Sequence, residues 1–287
     1  MSFISGDGAS YGLRLNTTRP LNPFLLRLAA GGLLATIIAL AALRARSLSK
    51  SGAVAAVALG AVCAAAGWSW ALLLIGFFLS GTILSRVGAS QKARRVDSIV
   101  SKGGRRDAIQ VAANGGVFGA AAVGAIATGD FRFAAVGIGA LAAAAADTWS
   151  TEIGTLGAVP PRLITSGKPV PAGTSGGISV AGSAAALAGA LAAAGGARLA
   201  EWSVPFAAIA AAGFAGALLD SVLGAMLQAR RYCDECNKET ERLRHDCGAR
   251  TRHSGGIEWL DNDAVNFIAT IAGGLLALVI TIFAGAV

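Results

Sequence analysis

Three carboxylates sit where a carboxylate is costly: Asp147 and Glu152 near the end of one apolar segment, and Asp220 towards the end of another. An acid at mid-depth in a bilayer costs about 2.5–3.5 kcal/mol on insertion scales, so each is a candidate for function. Asp147 and Glu152 are separated by roughly 140° around a helix and share a face only loosely. Asp263, in the run Asp261-Asn262-Asp263 that opens the last apolar segment, adds a fourth acid with Asn262 and Asn266 beside it. Asp147, Glu152, Asp220 and Asp263 together suit Mg²⁺, which takes few carboxylates and keeps sites for water and substrate phosphate. The competing roles are an ion pair with Arg of a basic loop for Asp220 and Glu152, and a helix cap for the acids at 261–263.

Two stretches could hold phosphate. Lys102-Gly103-Gly104-Arg105-Arg106-Asp107 puts three cations and two glycines ahead of an apolar segment, with Asn114 one to two turns further on. Lys102, Arg105 and Arg106 could wrap phosphate oxygens, Arg in bidentate fashion, or serve only as cationic anchors at the membrane edge. Thr174-Ser175-Gly176-Gly177 follows rigid prolines and opens another apolar segment, where small residues at a helix start can form an anion-binding nest or a plain Ser cap. No Gly-x4-Gly-Lys-Ser/Thr run occurs, so a P-loop is not supported.

Of the four cysteines, Cys63 falls inside an apolar segment and reads as packing. Cys233-x2-Cys236-x8-His245-x-Cys247 is a close-spaced set of three thiols and one imidazole, the ligand types of a four-coordinate structural Zn²⁺ site. Reduced thiols and a disulfide are the alternatives, and His253 is an alternative to His245.

The elements that must position these groups are membrane helices. The chain is 54% hydrophobic and 14% charged, with mean hydropathy +0.63 and apolar residues in blocks, which excludes an ordinary soluble domain. Eight spans are expected, about 24–43, 51–67, 69–87, 108–128, 131–155, 177–194, 204–227 and 264–284, with only Gly67-Trp68-Ser69 dividing the second from the third. Lipid offers no partners to open backbone, and barrel alternation is absent, so the fold class is an all-α polytopic bundle of about eight transmembrane helices. Its 39 glycines among 287 residues imply close helix packing. Residues 1–23 read as a mobile polar tail and 24–287 as one membrane domain, including a small cytoplasmic Cys/His loop over 230–260. The loops after the first, third, fifth and seventh spans carry 19 of the 24 Lys and Arg. The positive-inside rule therefore places them in the cytoplasm, and both termini on the other side of the cell membrane or its equivalent. That distribution explains the net charge of +8 without nucleic acid and draws anionic lipid to the same face.

The motifs, in order, resemble the integral membrane family known as domain of unknown function 92, which includes transmembrane protein 19 and a plant phytyl-phosphate kinase. The resemblance rests on 80–86 (SGTILSR), 102–107 (KGGRRD) with Gln110 and Asn114, 146–154 (ADTWSTEIG), 173–179 (GTSGGIS), 219–225 (LDSVLGA) and 260–266 (LDNDAVN). It implies phosphoryl transfer from a nucleoside triphosphate, CTP in the plant branch, to phytyl or geranylgeranyl monophosphate. On that basis Asp147, Glu152, Asp220, Asn114 and Asp107 are the candidate catalytic residues. Lys102, Arg105, Arg106, Thr174, Ser175, Gly176, Gly177, Asn262 and Asn266 are the candidate phosphate contacts. The Cys/His loop resembles a feature of some members only, which favours structural zinc at Cys233, Cys236, His245 and Cys247. A transporter or flippase of a phosphorylated lipid or organic anion is the alternative class, and a homo-oligomer stays open.

Overall fold

In the computed structural model, residues 22–96 and 104–286 are described. The 1–23 tail lies outside them except for its last two residues, and Lys102 and Gly103 lie outside as well. The architecture is the expected apolar helix bundle. Among the described residues, seven helices are long and apolar enough to cross a membrane: α1 (Pro23–Arg44), α3 (Trp68–Arg86), α5 (Ala108–Thr128), α6 (Arg132–Gly154), α7 (Val180–Leu199), α8 (Phe206–Met226) and α9 (Asn262–Phe283). An eighth apolar helix, α2 (Lys50–Ala66), is shorter at 17 residues, or about 25 Å of rise, just under the hydrocarbon thickness. Gly67 alone separates α2 from α3; at φ 159° and ψ 155° it is extended and ends one helix as it starts the next.

Two elements were not anticipated. α4 (Ala89–Val96) is a short amphipathic helix within the basic stretch after α3, where the charged residues read as loop. The segment after α8 folds as a three-stranded antiparallel sheet of β3 (Arg230–Cys233), β4 (Lys238–Thr240) and β5 (Arg252–Gly255), in the order β4-β3-β5. A two-stranded ribbon pairs β1 (Arg162–Leu163) with β2 (Gly177–Ile178).

α6 is the centre of the bundle and packs against α5, α7, α8 and α9. Its run from Ala134 to Ala146 is almost wholly buried and almost wholly Ala and Gly. The reason is distance: a Cβ on Gly189 of α7 would lie 2.8 Å from the Ala145 carbonyl oxygen, and one on Gly139 would lie 2.5 Å from the Gly273 oxygen of α9. Backbones this close demand glycine, so van der Waals contact between small residues holds the helices together. At the end away from the basic loops, Trp70, Phe118 and Trp202 form an aromatic plug, with Trp70 4.9 Å from Phe118 and 4.7 Å from Trp202 between ring centres. The largest gathering of polar groups around a cavity lies at the other end.

Candidate functional site

Close packing of α6 with α7 and α8 brings the last third of α6 and of α8 to one chamber. A cavity of about 400 Å³ is lined by Asp147, Ser150, Thr151 and Glu152 of α6, and by Asp220 and Ser221 of α8. The turn Thr174-Ser175-Gly176-Gly177, Asn262 at the start of α9, Lys92 of α4, and Glu241 and Arg242 after β4 complete the wall. Asp147 and Glu241 lie close enough for their charges to act on Asp220. The Asp220 Oδ2 oxygen is buried and makes no hydrogen bond to any described residue. A buried carboxylate oxygen without a hydrogen bond, near two further carboxylates, fits a divalent cation better than an internal salt bridge.

Of the four expected Mg²⁺ ligands, Asp147, Glu152 and Asp220 line this chamber. Asp263 does not: it is 4% exposed and packed within α9. Glu152 is engaged by Lys92 Nζ, which also donates to the Leu84 carbonyl at 2.7 Å. The expected partner for an acid here was Arg of a basic loop, whereas the cation is a lysine on the unforeseen α4. Asn266 is buried off the chamber wall.

The Thr174–Gly177 turn reaches the chamber, though not as a helix start. Gly177 belongs to β2, and α7 begins three residues later, capped by Ser179 Oγ accepting from the Gly182 N–H at 3.1 Å. The Gly177 N–H is spent on the Thr174 carbonyl at 3.0 Å, so the helix-start nest is not formed there. The turn is instead pressed onto α8: Gly176 has φ +77°, and a Cβ there would fall 2.6 Å from the Ala225 backbone nitrogen. Ser175 Oγ donates to Glu241, and Gln228 Nε2 donates to the same carboxylate at 2.9 Å.

The basic loop divides differently from expectation. Arg105 is exposed and off the chamber wall, and Lys102 lies outside the described residues. Arg106 is anchored by its backbone, exchanging hydrogen bonds at 3.0 Å with Ser47 and Ser49. Its guanidinium reaches Thr82 Oγ1 at 3.3 Å and lies 5.7 Å from the Phe78 ring centre. Burial pulls the Arg106 pKa below its ordinary value, with the charge of Glu152 acting the other way. Asp107 caps α5 in a reciprocal box: Oδ1 accepts from the Gln110 N–H at 3.0 Å, and Gln110 Oε1 accepts from the Asp107 N–H at 3.2 Å. Asn114 Nδ2 donates to the Gln110 carbonyl at 3.1 Å. Arg106, Gln110, Asn114 and Thr148 form the polar end of a separate groove of about 110 Å³, otherwise lined by apolar residues such as Leu34, Ile38, Leu59 and Phe78. Thr148 of the groove neighbours Asp147 of the chamber along α6, and Arg106 of the groove lies near enough for the charge of Glu152 in the chamber to act on it.

Sequence reasoning missed Lys92, Glu241 and Arg242. Lys92 and Arg242 are two cations among many, and no spacing marks Glu241 within a loop of seven Lys and Arg. The Cys/His set, in contrast, is brought together: ligand atoms of Cys233, Cys236, His245 and Cys247 all lie within 4.8 Å of one another. His253 stands away from them on β5, paired with Arg231. Hydrogen bonds from the Ala249 backbone first, then from His245, lower the Cys247 thiol to about 7, while its contact with Cys247 raises Cys236 to about 11.

An apolar helix bundle with a carboxylate-rich chamber at one end defines an integral membrane protein with a polar edge site. Comparison with known proteins agrees. The chain belongs to the DUF92 family of integral membrane proteins, whose model matches residues 33–274. It is 32% identical to Protein PGR of Arabidopsis thaliana, over 90% of this chain and 97% of that protein. It is 31% identical to the uncharacterised membrane protein MJ0933 of Methanocaldococcus jannaschii, over 89% and 95% of the two. A Synechocystis membrane protein, sll0875, also uncharacterised, is 29% identical over 76% of each chain. No solved structure matches the chain.

Proposed function

We propose that this protein is a membrane isoprenyl-phosphate kinase, transferring the γ-phosphoryl group of a nucleoside triphosphate, CTP by the family resemblance, to phytyl or geranylgeranyl monophosphate. The observation that carries the reading is the meeting of Asp147 and Asp220, from two different helices, in a polar chamber, with Thr148, the neighbour of Asp147, at the polar end of an apolar groove. An isoprenyl phosphate has the same division into an apolar tail and an anionic head. The groove residues Leu34, Ile38 and Phe78 take the tail, which continues into lipid, and Arg106, Gln110 and Asn114 meet the head at the polar end of the groove.

Asp147 and Asp220 would hold Mg²⁺, which supplies charge neutralisation between donor and acceptor phosphates when bound. The buried Asp220 oxygen that lacks a hydrogen bond is the structural reason to assign it there. Lys92 holds Glu152 in place, so Glu152 shapes the wall rather than acting as a free ligand. An oxygen of the acceptor monophosphate attacks the γ-phosphorus, a new P–O bond forms, the bond to the β-phosphate oxygen breaks, and nucleoside diphosphate leaves. The attacking oxygen is already anionic, so alignment and charge compensation are the main requirements.

The transporter reading is weaker because the carboxylates lie in the last third of α6 and α8, while the middle of α6 is packed Ala and Gly. The test is incubation of purified protein with Mg²⁺, isoprenyl monophosphate and γ-labelled nucleotide, alongside uptake by protein-loaded vesicles. Labelled isoprenyl diphosphate supports the kinase. Uptake of unaltered organic phosphate without label transfer supports transport instead.

A further inference from the structure

The loop between α8 and α9 has almost no apolar core. Across residues 230–260 the buried apolar side chains are Cys233 and Leu260, with Thr240, His245 and Thr251 the buried polar ones. A three-stranded sheet without a core needs a staple. The geometry supplies one. Cys233 ends β3 and Cys236 sits in the turn to β4, where Cys233 pairs with Lys238 and Asn237 takes φ +53°. A second turn faces it: His245 N–H donates to the Ala249 carbonyl at 3.0 Å, Gly248 N–H donates to the His245 carbonyl at 2.8 Å, and Gly248 takes φ +86°. Each turn therefore presents two ligands to the same point.

The separations match a tetrahedral ion. With Zn–S near 2.3 Å and Zn–N near 2.05 Å, tetrahedral edges are about 3.8 Å between sulfurs and about 3.6 Å between sulfur and nitrogen. Cys233 Sγ and Cys247 Sγ are 3.6 Å apart, and His245 Nδ1 is 3.3 Å from Cys247 Sγ. A disulfide needs about 2.05 Å, so Cys233 and Cys247 are not placed as a bonded pair. With all four positions filled by protein, the site has no room for a substrate and is structural.

This sheet also walls the chamber. Glu241 directly follows β4 and projects to the cavity, where Ser175 and Gln228 hydrogen-bond to it. We propose that Cys233, Cys236, His245 and Cys247 bind one Zn²⁺, and that the three-stranded sheet folded by this ion positions Glu241 against the Ser175 turn to close the carboxylate chamber. The zinc site stands independently of the kinase reading; Glu241 as a positioning residue for phosphate chemistry rests on that reading.

The test uses the full-length chain, purified in detergent without chelator. Elemental analysis is expected to give one zinc per chain, and exchange with Co²⁺ to give the visible bands of a tetrahedral thiolate site. Cys236→Ser should lose the metal, while Glu241→Gln should retain it. Should the serine variant fail to fold, chelation of the folded native chain makes the same comparison. Hydrogen exchange over residues 170–179 reads the coupling: zinc removal should speed it at least tenfold, and Glu241→Gln should reproduce part of that gain with zinc still bound. Absence of zinc from the native chain, together with no thiolate spectrum on Co²⁺ addition, overturns the metal site. Unchanged exchange at 170–179 after zinc loss overturns the coupling. Neither readout uses phosphoryl transfer, so a failed kinase assay leaves both intact.

Discussion

Replacing Lys92 by glutamine probes how the chamber tolerates its own acids. The Lys92 and Glu152 side chains are 10% and 21% exposed, and Lys92 also satisfies the Leu84 carbonyl. Removing one partner of a buried ion pair costs about 3–5 kcal/mol, because the other charge is left without compensation. Two features reduce that here: Glu152 keeps some contact with the cavity, and the Arg106 charge acts on it. Glutamine can still donate one hydrogen bond, so the expected loss is about 2–3 kcal/mol. Glu152→Gln alone should cost a similar amount, about 2–3 kcal/mol, since it leaves the more buried Lys92 ammonium with only neutral acceptors. The double variant should be more stable than Lys92→Gln by about 1 kcal/mol, because no unpaired carboxylate remains. Equilibrium unfolding in mixed micelles of detergent and SDS, followed by tryptophan fluorescence, measures all three against the native chain. If Lys92→Gln stays within about 0.5 kcal/mol of native, the pair is solvated and does not brace the chamber wall.

Other expectations follow from individual residues. Asp107→Ala should lower stability by about 1 kcal/mol through loss of the α5 cap, yet leave turnover near native once the protein is folded; an abolished activity would return Asp107 to the chemistry. Gly176→Ala should both destabilise the fold by about 1–3 kcal/mol and depress activity, since it strains a left-handed turn already pressed against Ala225. A conservative outcome in both assays would show that the turn does not shape the chamber. For orientation, trypsin added to inside-out vesicles should cut within 230–252, where Arg230, Lys238 and Arg244 are exposed, and right-side-out vesicles should be spared. The opposite pattern would invert the topology.

The helices were legible because a membrane span is a compositional fact: twenty or so apolar residues have few alternatives. Even the thin divider at Gly67 was readable, as glycine is a poor helix former between two apolar runs. The acids on α6 and α8 were legible for the converse reason, being costly in the segments that hold them. What the sequence hid was polar structure outside the membrane. The residues of α4 look like any basic loop, so neither the helix nor its Lys92 stood out. Ser175 and Glu241 are 66 positions apart, and nothing local announces their meeting. Arg106 and Asp107 show the limit of reading a motif as a unit: adjacent in the chain, one enters the apolar groove and the other caps a helix. Asp263 and Asn266 share a motif with Asn262, but Asp263 is turned about 100° from it and Asn266 lies one turn further along α9, so only Asn262, at the helix start, lines the chamber.

The most direct test of the account is transfer of γ-label to geranylgeranyl or phytyl monophosphate by the native chain, Asp147→Asn and Asp220→Asn, each first shown to be folded in detergent. The account predicts Mg²⁺-dependent labelled diphosphate from the native protein and a loss of at least a hundredfold in each variant, or about 2.7 kcal/mol of transition-state stabilisation. Undiminished transfer by both variants, or no transfer by the native protein across several chain lengths and nucleotides, would contradict it.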